Sequence, residues 1–409
     1  MAPSPAGMNF EPSQELELIK SQIDQFIEQE IEPIEAENED LLGEHAERNA
    51  LDSNGRVSDE YIAVHDEIIR KSAGAGFYAM QYPETVGGGG LDLLEFLLVL
   101  EHIYDRHPHG FHRNIVSGLS LPTEMQDDDY QREEYLQPYL NGEEMFAIAI
   151  TEPDHGSDVT WMDTTAEHEG DSWILNGTKC YITDAVFADS VLVVARTSGD
   201  DGDSTGITAF IVDAENPGLE LGRIHRPMGG LDEGAGALST IHFNDCRVPN
   251  EQLVGEEGLG LVKALDTIGE IRLRIPARAV GRAQWMFNEC VDYACDRTVF
   301  GDSLGTNQFI KGKLAELRTD IEQVRWLYRR AAWRYDRGEG QRWEQSAAKL
   351  RGGQLWNRAA DIAVQIHGGA GYMRSLPFEL EYRNARATRI YDGTEEVHKL
   401  NIADHFLED

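Results

Sequence analysis

Hydrophobic residues in the first third of the chain recur every three or four positions, which predicts amphipathic helices. Ser13 is a suitable start signal for the first helix, and Pro33 is expected to end it. A second apolar stretch, residues 91–100, follows a run of glycines and predicts another helix. It is too short and too charged to span a bilayer. Residues 1–144 are therefore predicted to form an N-terminal helical domain.

The pattern changes near residue 145 to short runs of β-branched and aromatic residues. These runs read MFAIAI, SVLVVART, ITAFIVD and STIHF, and turn signals such as NGTK and NPG separate them. Strands that follow one another without intervening helices are typical of an antiparallel sandwich or barrel. No G-x-G-x-x-G motif follows a strand, so nothing indicates a nicotinamide-dinucleotide domain. Residues 145–256 are predicted to form this middle β domain.

A helical period returns at about residue 257 and continues to the end of the chain. Long amphipathic segments such as AELRTDIEQVRWLYRRAAWRYD predict four or five antiparallel helices in a four-helix-bundle-like C-terminal domain over residues 257–409. The predicted fold class is thus α+β and multidomain, with helical domains on either side of a β domain.

Charge narrows the range of partners. The 409 residues include 73 Asp and Glu against 36 Lys and Arg, a formal net charge of −37. Such a surface repels nucleic-acid phosphates and anionic lipid, so neither is an expected partner. The acidic residues are spread along the chain, as in a halophilic, salt-adapted protein. Four cysteines without a C-x-x-C motif, and an N-terminus unlike a secretory signal, favour a cytoplasmic protein with reduced thiols.

Five short clusters carry groups that could perform chemistry, although each alone has an ordinary structural explanation. TEPDHGSD reads as a turn, CYITD as a strand, DRTVFGDSLGTNQ as a helix–helix loop and QIHGGAGYM as a glycine-capped helix end. The fifth, RIYDGTEEVHKL, could simply use Asp392 as the N-cap of a last helix.

Taken together, the order and spacing of these clusters resemble the acyl-CoA dehydrogenase family of flavoenzymes. TEPDHGSD is similar to the family's T-E-P-x-x-G-S-D signature, and QIHGGAGY followed by YDGT is similar to its C-terminal signature. The resemblance covers essentially the whole chain. It implies an FAD-dependent enzyme of fatty-acid metabolism, an acyl-CoA substrate, electron transfer to an electron-transfer flavoprotein, and a homodimer or homotetramer.

The resemblance also implies which residues bind FAD. Tyr181 would cover the isoalloxazine, in place of the family's usual Trp, and Arg297 would hold the pyrophosphate with its guanidinium fork. A glycine-rich turn near Gln365 would receive FAD from a neighbouring subunit. The full set of implied FAD contacts is Ile148, Ile150, Thr151, Gly156, Ser157, Tyr181, Thr183, Arg297, Gln308, Gln365, Gly368, Gly369, Thr394 and Glu396.

In the family a carboxylate removes the α-proton of the thioester while a hydride leaves the β-carbon for flavin N5. The family base is Glu, and Asp392 occupies that position here. A carboxylate in a dry site has a raised proton affinity, which suits this task. Ser157, Arg272 and Gly393 are the expected substrate contacts, and the backbone N–H of residue 392 would polarise the thioester carbonyl. Asp is shorter than Glu by one methylene, about 1.5 Å.

Three alternatives stay open. Some family branches carry the base on the first C-terminal helix, where Glu270 lies one residue from the relevant position, although Asp392 is preferred. A nitroalkane-oxidase-like flavoprotein, which uses Asp at this position, is the leading alternative enzyme. A flavin-binding relative without catalytic activity is the third.

His107, His109 and His112 form one further cluster. No clear fourth ligand accompanies them, so no metal site is expected. The resemblance places this segment near the acyl pocket, where His112, Arg113 and Asn114 would favour a short or functionalised acyl chain.

The acidic surface predicts that salt stabilises the protein, because added ions screen the repulsion among its carboxylates. We expect the melting temperature to rise between low and molar salt. Equal melting temperatures under the two conditions would contradict this prediction.

Overall fold

The computed structural model describes residues 13–41, 57–106, 115–229 and 237–407. For residues 266–268 it describes the backbone only. The helices of the described residues fall into an N-terminal and a C-terminal set. No described helix combines the length and the apolarity that a bilayer crossing requires. The helices, in chain order, are α1 (Gln14–Phe26), α2 (Glu32–Glu37), α3 (Asp59–Gly74), α4 (Leu93–Arg106), α5 (Glu124–Asp127), α6 (Asp129–Gln131), α7 (Gln137–Leu140), α8 (Gly260–Asp296), α9 (Gln308–Tyr335), α10 (Arg342–His367), α11 (Phe378–Ala387) and α12 (Glu395–Leu407).

The first helix begins where the sequence predicts but does not end there. Ser13 caps α1 by accepting a hydrogen bond from the Leu16 N–H at 3.1 Å. The expectation that Pro33 ends the helix is wrong, because a π-helical turn, Ile27–Ile31, leads directly into α2. Pro33 lies in the first turn of α2, where its missing N–H leaves no hydrogen bond unmade.

A single twisted sheet contains most of the described strands, in the order β6-β7-β3-β2-β4-β5-β8, and β1 pairs with β4. A small hairpin of two further strands, β9 and β10, lies between α8 and α9. The strands are β1 (Phe146–Ala149), β2 (Thr165–Glu169), β3 (Ser172–Thr183), β4 (Ser190–Arg196), β5 (Ile207–Asp213), β6 (Leu219–His225), β7 (Leu238–Pro249), β8 (Leu253–Val254), β9 (Thr298–Val299) and β10 (Asp302–Ser303).

The sheet is mostly antiparallel, as predicted, with two exceptions. The strands β1 and β4 run parallel, and so does the short contact between β2 and β4. Strand β4 is buried along its whole length, which agrees with a central position between neighbours. Its uninterrupted apolar run indicates burial on both faces of the sheet. The run alone does not show whether the neighbouring strands are parallel or antiparallel to β4.

Helix α8 is the central element of the C-terminal bundle and also contacts the N-terminal helices. Two glycines permit close approaches between α8 and neighbouring helices. A Cβ at Gly281 would lie 2.5 Å from the carbonyl oxygen of Glu101 on α4, and a Cβ at Gly352 on α10 would lie 2.6 Å from the Cα of Pro276 on α8. The five helices α8–α12 confirm the predicted number of C-terminal helices in the described residues.

We expect Gly352→Ala to destabilise the fold, because the added methyl group would overlap the backbone of α8. A loss of about 1–3 kcal/mol in the free energy of unfolding is typical of such overpacking. Gly312→Ala is the matched control, since Gly312 lies in α9 and a Cβ there meets nothing within 4 Å. This control should gain about 0.5–1 kcal/mol. Urea denaturation of both variants checks the pair, and equal stabilities would contradict the packing argument.

Candidate active site

The predicted base lies in a tight turn between α11 and α12. Asp392 has a left-handed backbone with φ of 55°, and Gly393 follows with φ of 98°. Asp and Asn adopt this conformation more readily than other non-glycine residues. A Cβ at Gly393 would lie 3.0 Å from Nε2 of His398, so glycine is required there for space as well as conformation.

Two buried cations from different helices hold this turn. The Nε of Arg272, on α8, donates a hydrogen bond to the carbonyl oxygen of Asp392 at 3.1 Å. The Nζ of Lys349, on α10, donates to the carbonyl oxygen of Gly393. The exposed fraction is 6% for Arg272 and 1% for Lys349. These hydrogen bonds hold the turn through its backbone carbonyls, so the Asp392 carboxylate is not needed to hold it.

The surroundings of Asp392 pull its proton affinity in opposite directions. Burial raises the pKa of its carboxyl, while the positive charges of Lys349, Arg272, Arg278 and Arg274 act to lower it. Burial prevails, so the pKa lies above its usual value. In turn, burial lowers the pKa of Lys349 to about 8, against the opposing effect of the Asp392 charge.

The helix that follows the turn is capped by a neighbour of Asp392. The N–H of Val397 donates to Oγ1 of Thr394 at 3.3 Å, so the alternative role of Asp392 as N-cap is wrong. Within α12, Glu396 is exposed and His398 is fully buried. Among the described residues, neither ring nitrogen of His398 has a hydrogen-bond partner of good geometry, although the ring lies beside the backbone of Asp392 and Gly393. Burial, with the charges of Lys349 and Arg272, lowers the pKa of His398 to about 3, so its imidazole is neutral.

The alternative base, Glu270, is engaged elsewhere. Its Oε1 accepts a hydrogen bond from Oγ of Ser120 at 2.8 Å and forms an ion pair with Nη2 of Arg274 at 3.0 Å. Arg274 is fully buried and also donates to the carbonyl oxygens of Ser117 and Gly118. A proton transfer to Glu270 would leave the buried Arg274 guanidinium without its counter-charge, which is energetically unfavourable.

A buried ion pair supports the turn that follows β1. Nζ of Lys179 lies 2.8 Å from Oε1 of Glu152 and also donates to the carbonyl oxygen of Ile150 at 3.0 Å. Burial raises the proton affinity of Glu152, but the Lys179 charge and hydrogen bonds outweigh it, so the pKa of Glu152 is lowered. The carbonyl oxygen of Thr151 accepts from the N–H of Cys180 at 2.9 Å. These contacts bring the T-E-P turn and strand β3 together.

Residues predicted to lie along a flavin surround this junction. Ile148 and Ile150 are partly buried and line an apolar cavity together with Leu192 and Val194. Asp392 does not line this cavity, which lies between the sheet and the start of α8. The side chains of these two isoleucines thus pack into the protein interior, so a flavin contact would fall to the strand edge or the turn beyond it.

The next predicted contacts are solvent-exposed. Gly156 and Ser157 lie on the surface of the turn. Tyr181 lies at an irregularity in the pairing of β3 with β7, has φ of 57°, and exposes 57% of its surface. Thr183 is also exposed at the end of β3. A β-bulge that turns an aromatic ring outward is a feature often found next to active sites.

The remaining predicted contacts gather at one end of the helical bundle. Arg297 is the C-cap of α8 and Gln308 begins α9, and both are exposed. Gly368, with φ of 62°, is the C-cap of α10. The ring of Tyr293 on α8 lies 4.4 Å from the ring of His367 on α10, which places the Arg297 and Gly368 ends side by side. Gln365 and Gly369, on either side of this cap, are exposed as well.

The predicted site residues thus form three groups. The first contains Asp392, Gly393, Thr394 and Arg272, and the second lies around the T-E-P turn and Tyr181. The third is the bundle end at Arg297. Within the described residues, no hydrogen bond or ring contact joins the second group to the third. The histidine cluster His107, His109 and His112, with Arg113 and Asn114, lies outside the described residues.

Three residues next to the predicted site residues were not expected from the sequence. Lys349 and His398 lie against the Asp392 turn, and Phe300, beside Arg297, has a left-handed backbone and a fully exposed ring. Lys349 could have been found as a charged residue on the apolar face of α10. A backbone conformation such as that of Phe300 leaves no comparable signal.

Family models match three successive parts of the chain. The acyl-CoA dehydrogenase N-terminal domain matches residues 13–143, the middle domain matches residues 147–246, and the C-terminal domain matches residues 258–407.

Individual relatives agree with these matches. The mouse mitochondrial short-chain specific acyl-CoA dehydrogenase is 37% identical, over 83% of this chain and 82% of its own. Subunit CarC of the caffeyl-CoA reductase-Etf complex of Acetobacterium woodii is 33% identical, over 83% of this chain and 89% of its own. The solved structure of butyryl-CoA dehydrogenase from Megasphaera elsdenii is 28% identical, with a TM-score of 0.82, and the match covers 98% of this chain and all of that one.

FAD is the cofactor, and the exposed groups described above suit its parts. The Tyr181 ring offers a flat face to a planar ring system. The guanidinium of Arg297 has no ion pair among the described residues and could bind a pyrophosphate. The predicted fold of helical, β and helical parts is confirmed. The chain belongs to the acyl-CoA dehydrogenase family and is an oxidoreductase.

Proposed function

We propose that this enzyme oxidises an acyl-CoA thioester to the α,β-enoyl-CoA, with Asp392 as the base that removes the α-proton. Bound FAD would supply the acceptor for the hydride that leaves the β-carbon. Arg272 and Gly393 would contact the substrate, together with Ser157. The proposal rests chiefly on one observation, the partly buried Asp392 in a turn held by Arg272 and Lys349.

The chemistry of this carboxylate supports the role. Removal of an α-proton requires a base whose proton affinity is high enough to accept it, and burial raises the pKa of Asp392. The surrounding cations act in the opposite direction and keep the ionised form accessible. The Glu270 carboxylate, in contrast, accepts hydrogen bonds from Arg274 and Ser120.

Backbone geometry supports polarisation of the thioester carbonyl by the same residue. The carbonyl oxygen of Asp392 is occupied by Arg272, whereas its N–H makes no hydrogen bond among the described residues. A fixed backbone N–H aimed at a developing oxyanion stabilises it without reorganisation. Base and oxyanion donor would then come from one residue whose position the two cations set.

The FAD contacts are proposed at the exposed groups. Tyr181 and Thr183 would meet the isoalloxazine, while Arg297 and Gln308 would meet the pyrophosphate and adenosine side. The other proposed contacts are Ile148, Ile150, Thr151, Gly156, Ser157, Gln365, Gly368, Gly369, Thr394 and Glu396.

A homodimer or homotetramer would complete this site. Apolar side chains are exposed next to the proposed FAD contacts at the bundle end: Phe300, Phe309, Tyr372 and Met373. Exposed apolar residues gathered in one place are typical of interaction surfaces. We propose that a second copy of the chain covers them and that FAD lies at the junction.

An electron-transfer flavoprotein is the proposed acceptor of the electrons. The CarC relative belongs to a complex whose name includes Etf, and that protein's name describes a reductase. A short acyl chain is the proposed substrate, since two of the similar proteins are named for short-chain or butyryl substrates.

Nitroalkane oxidation is the second candidate, and Asp in place of Glu at the base position favours it. A nitroalkane is smaller than an acyl-CoA, and the same carboxylate would remove the proton from its α-carbon. Oxygen consumption with nitroethane, set against dye reduction with short acyl-CoA thioesters, distinguishes the two activities. We expect the acyl-CoA reaction to prevail.

Asp392→Asn should abolish flavin reduction, because the amide cannot accept the α-proton. Loss of a general base lowers a rate by about 10²–10⁴-fold. Anaerobic titration of the holoenzyme with acyl-CoA thioesters of increasing length, followed by flavin absorbance, measures the effect.

Glu270→Gln is the comparison variant, since it removes the charge of the alternative base. If thermal melting shows that it folds despite the lost counter-charge of Arg274, it should keep most of the activity. Activity retained in the Asp392 variant and lost in the Glu270 variant would reverse the assignment. Failure of every thioester to bleach the wild-type flavin would favour a non-catalytic flavin-binding protein.

A further inference from the structure

Lys349 occupies an unusual position for a lysine. It is 1% exposed, and its ammonium group donates a hydrogen bond to the carbonyl oxygen of Gly393, the residue after the proposed base. Its Nζ also lies 6.0 Å from the centre of the Tyr391 ring, on the other side of Asp392 in the chain. A buried ammonium is unfavourable unless hydrogen bonds and an opposite charge compensate for its lost hydration.

Charged and titratable groups face Lys349 from three elements besides α10. Asp392, in the turn, and Glu395, on α12, carry the opposite charge, and Arg272, on α8, carries the same charge. His398, on α12, is neutral, and its ring lies beside the backbone of Asp392 and Gly393. Glu395 is already occupied by Arg389 and Lys399. Of the two carboxylates that face Lys349 among the described residues, Asp392 is therefore the one that is not already paired with another cation.

We propose that Lys349 is a positioning residue for the reaction: its ammonium group fixes the turn at Gly393, next to the proposed base, and its positive charge favours the ionised form of the Asp392 carboxylate. This inference rests on the proposed function, since it assumes that Asp392 is the base. It adds a residue on α10 to a site otherwise built from α8 and the turn.

The two parts of this role have separate consequences. The hydrogen bond sets the position of the turn and depends on a donor at residue 349. The charge opposes the effect of burial on Asp392, and Lys349 is the foremost of the four cations that lower the pKa of that carboxyl. Removal of the charge should therefore raise the pKa of Asp392 further, so that a smaller fraction is ionised at acidic pH.

Three substitutions separate donor from charge. Lys349→Arg keeps both, Lys349→Gln keeps a donor without charge, and Lys349→Met removes both. Lys71→Met is the control for loss of an ammonium elsewhere, since Lys71 lies on α3 and is paired with Glu30 at 2.7 Å.

The measurement is exchange of the thioester α-hydrogen with solvent deuterium, followed by mass spectrometry on holoenzyme with butyryl-CoA between roughly pH 5 and pH 9. Exchange at the α-carbon reports the base separately from hydride transfer. Flavin reduction over the same pH range provides a second readout. Thermal melting of each variant identifies any that do not fold.

We expect the acid limb of the exchange profile to move up by about one pH unit in the Gln and Met variants, and their rates to fall about tenfold at acidic pH. Lys349→Arg and Lys71→Met should keep the wild-type limb. If the Met variant does not fold, the Gln and Arg variants decide the question.

A wild-type acid limb in Lys349→Gln would overturn the electrostatic role, and so would a shifted limb in a folded Lys349→Arg. If wild-type enzyme exchanges no α-hydrogen and no thioester reduces its flavin, the proposed function itself is wrong, and the role of Lys349 in it falls as well. The two failures are thus distinguishable.

Discussion

The candidate site depends on the hydrogen bonds that two buried cations donate to successive backbone carbonyls. Arg272 binds the carbonyl of Asp392 and Lys349 binds that of Gly393, so α8 and α10 are both tied to the turn before α12. Without these donors, the turn would leave polar backbone groups unpaired in a partly buried place. The same cations also set the charge around the carboxylate, which couples the shape of the turn to its chemistry.

The backbone conformation of this turn suits Asp at the position where the family usually has Glu. The residue must adopt a left-handed backbone, with φ of 55°, and short polar side chains such as Asp tolerate that conformation best. A shorter side chain also keeps its carboxylate closer to the fixed backbone. Under the proposed function, the substrate would have to lie closer to the turn to recover the reach lost with one methylene.

Patterns in the sequence predicted the order of the helical and β parts and the family of the protein. The succession of helical, β and helical parts followed from changes in hydrophobic period, and the T-E-P and Y-D-G-T clusters identified the family. The sequence did not predict the parallel pairing of β1 with β4 or the continuation of the helix past Pro33, because strand direction and a π-helical turn depend on tertiary packing. Lys349 escaped notice because one lysine in an amphipathic helix ordinarily faces water.

The domain boundaries and the individual FAD contacts stay predictions, although the groups proposed for FAD are exposed and chemically suitable. Ile148 and Ile150 are partial exceptions, since their side chains line an interior cavity. The division of the contacts between the sheet and the bundle end agrees with a site completed by a second copy of the chain. In this proposal, one chain would supply the base and its cations, and the cofactor would extend across the junction.

The central claim is that the Asp392 carboxylate, held by the two-cation turn, meets the substrate α-carbon. The most direct measurement is a crystal structure of the holoenzyme with an unreactive short-chain acyl-CoA analogue. We expect a carboxylate oxygen of Asp392 about 3–3.5 Å from the α-carbon, with Arg272 and Lys349 still bound to the turn. A structure in which Glu270 is the carboxylate nearest the α-carbon, with Asp392 turned away, would contradict it.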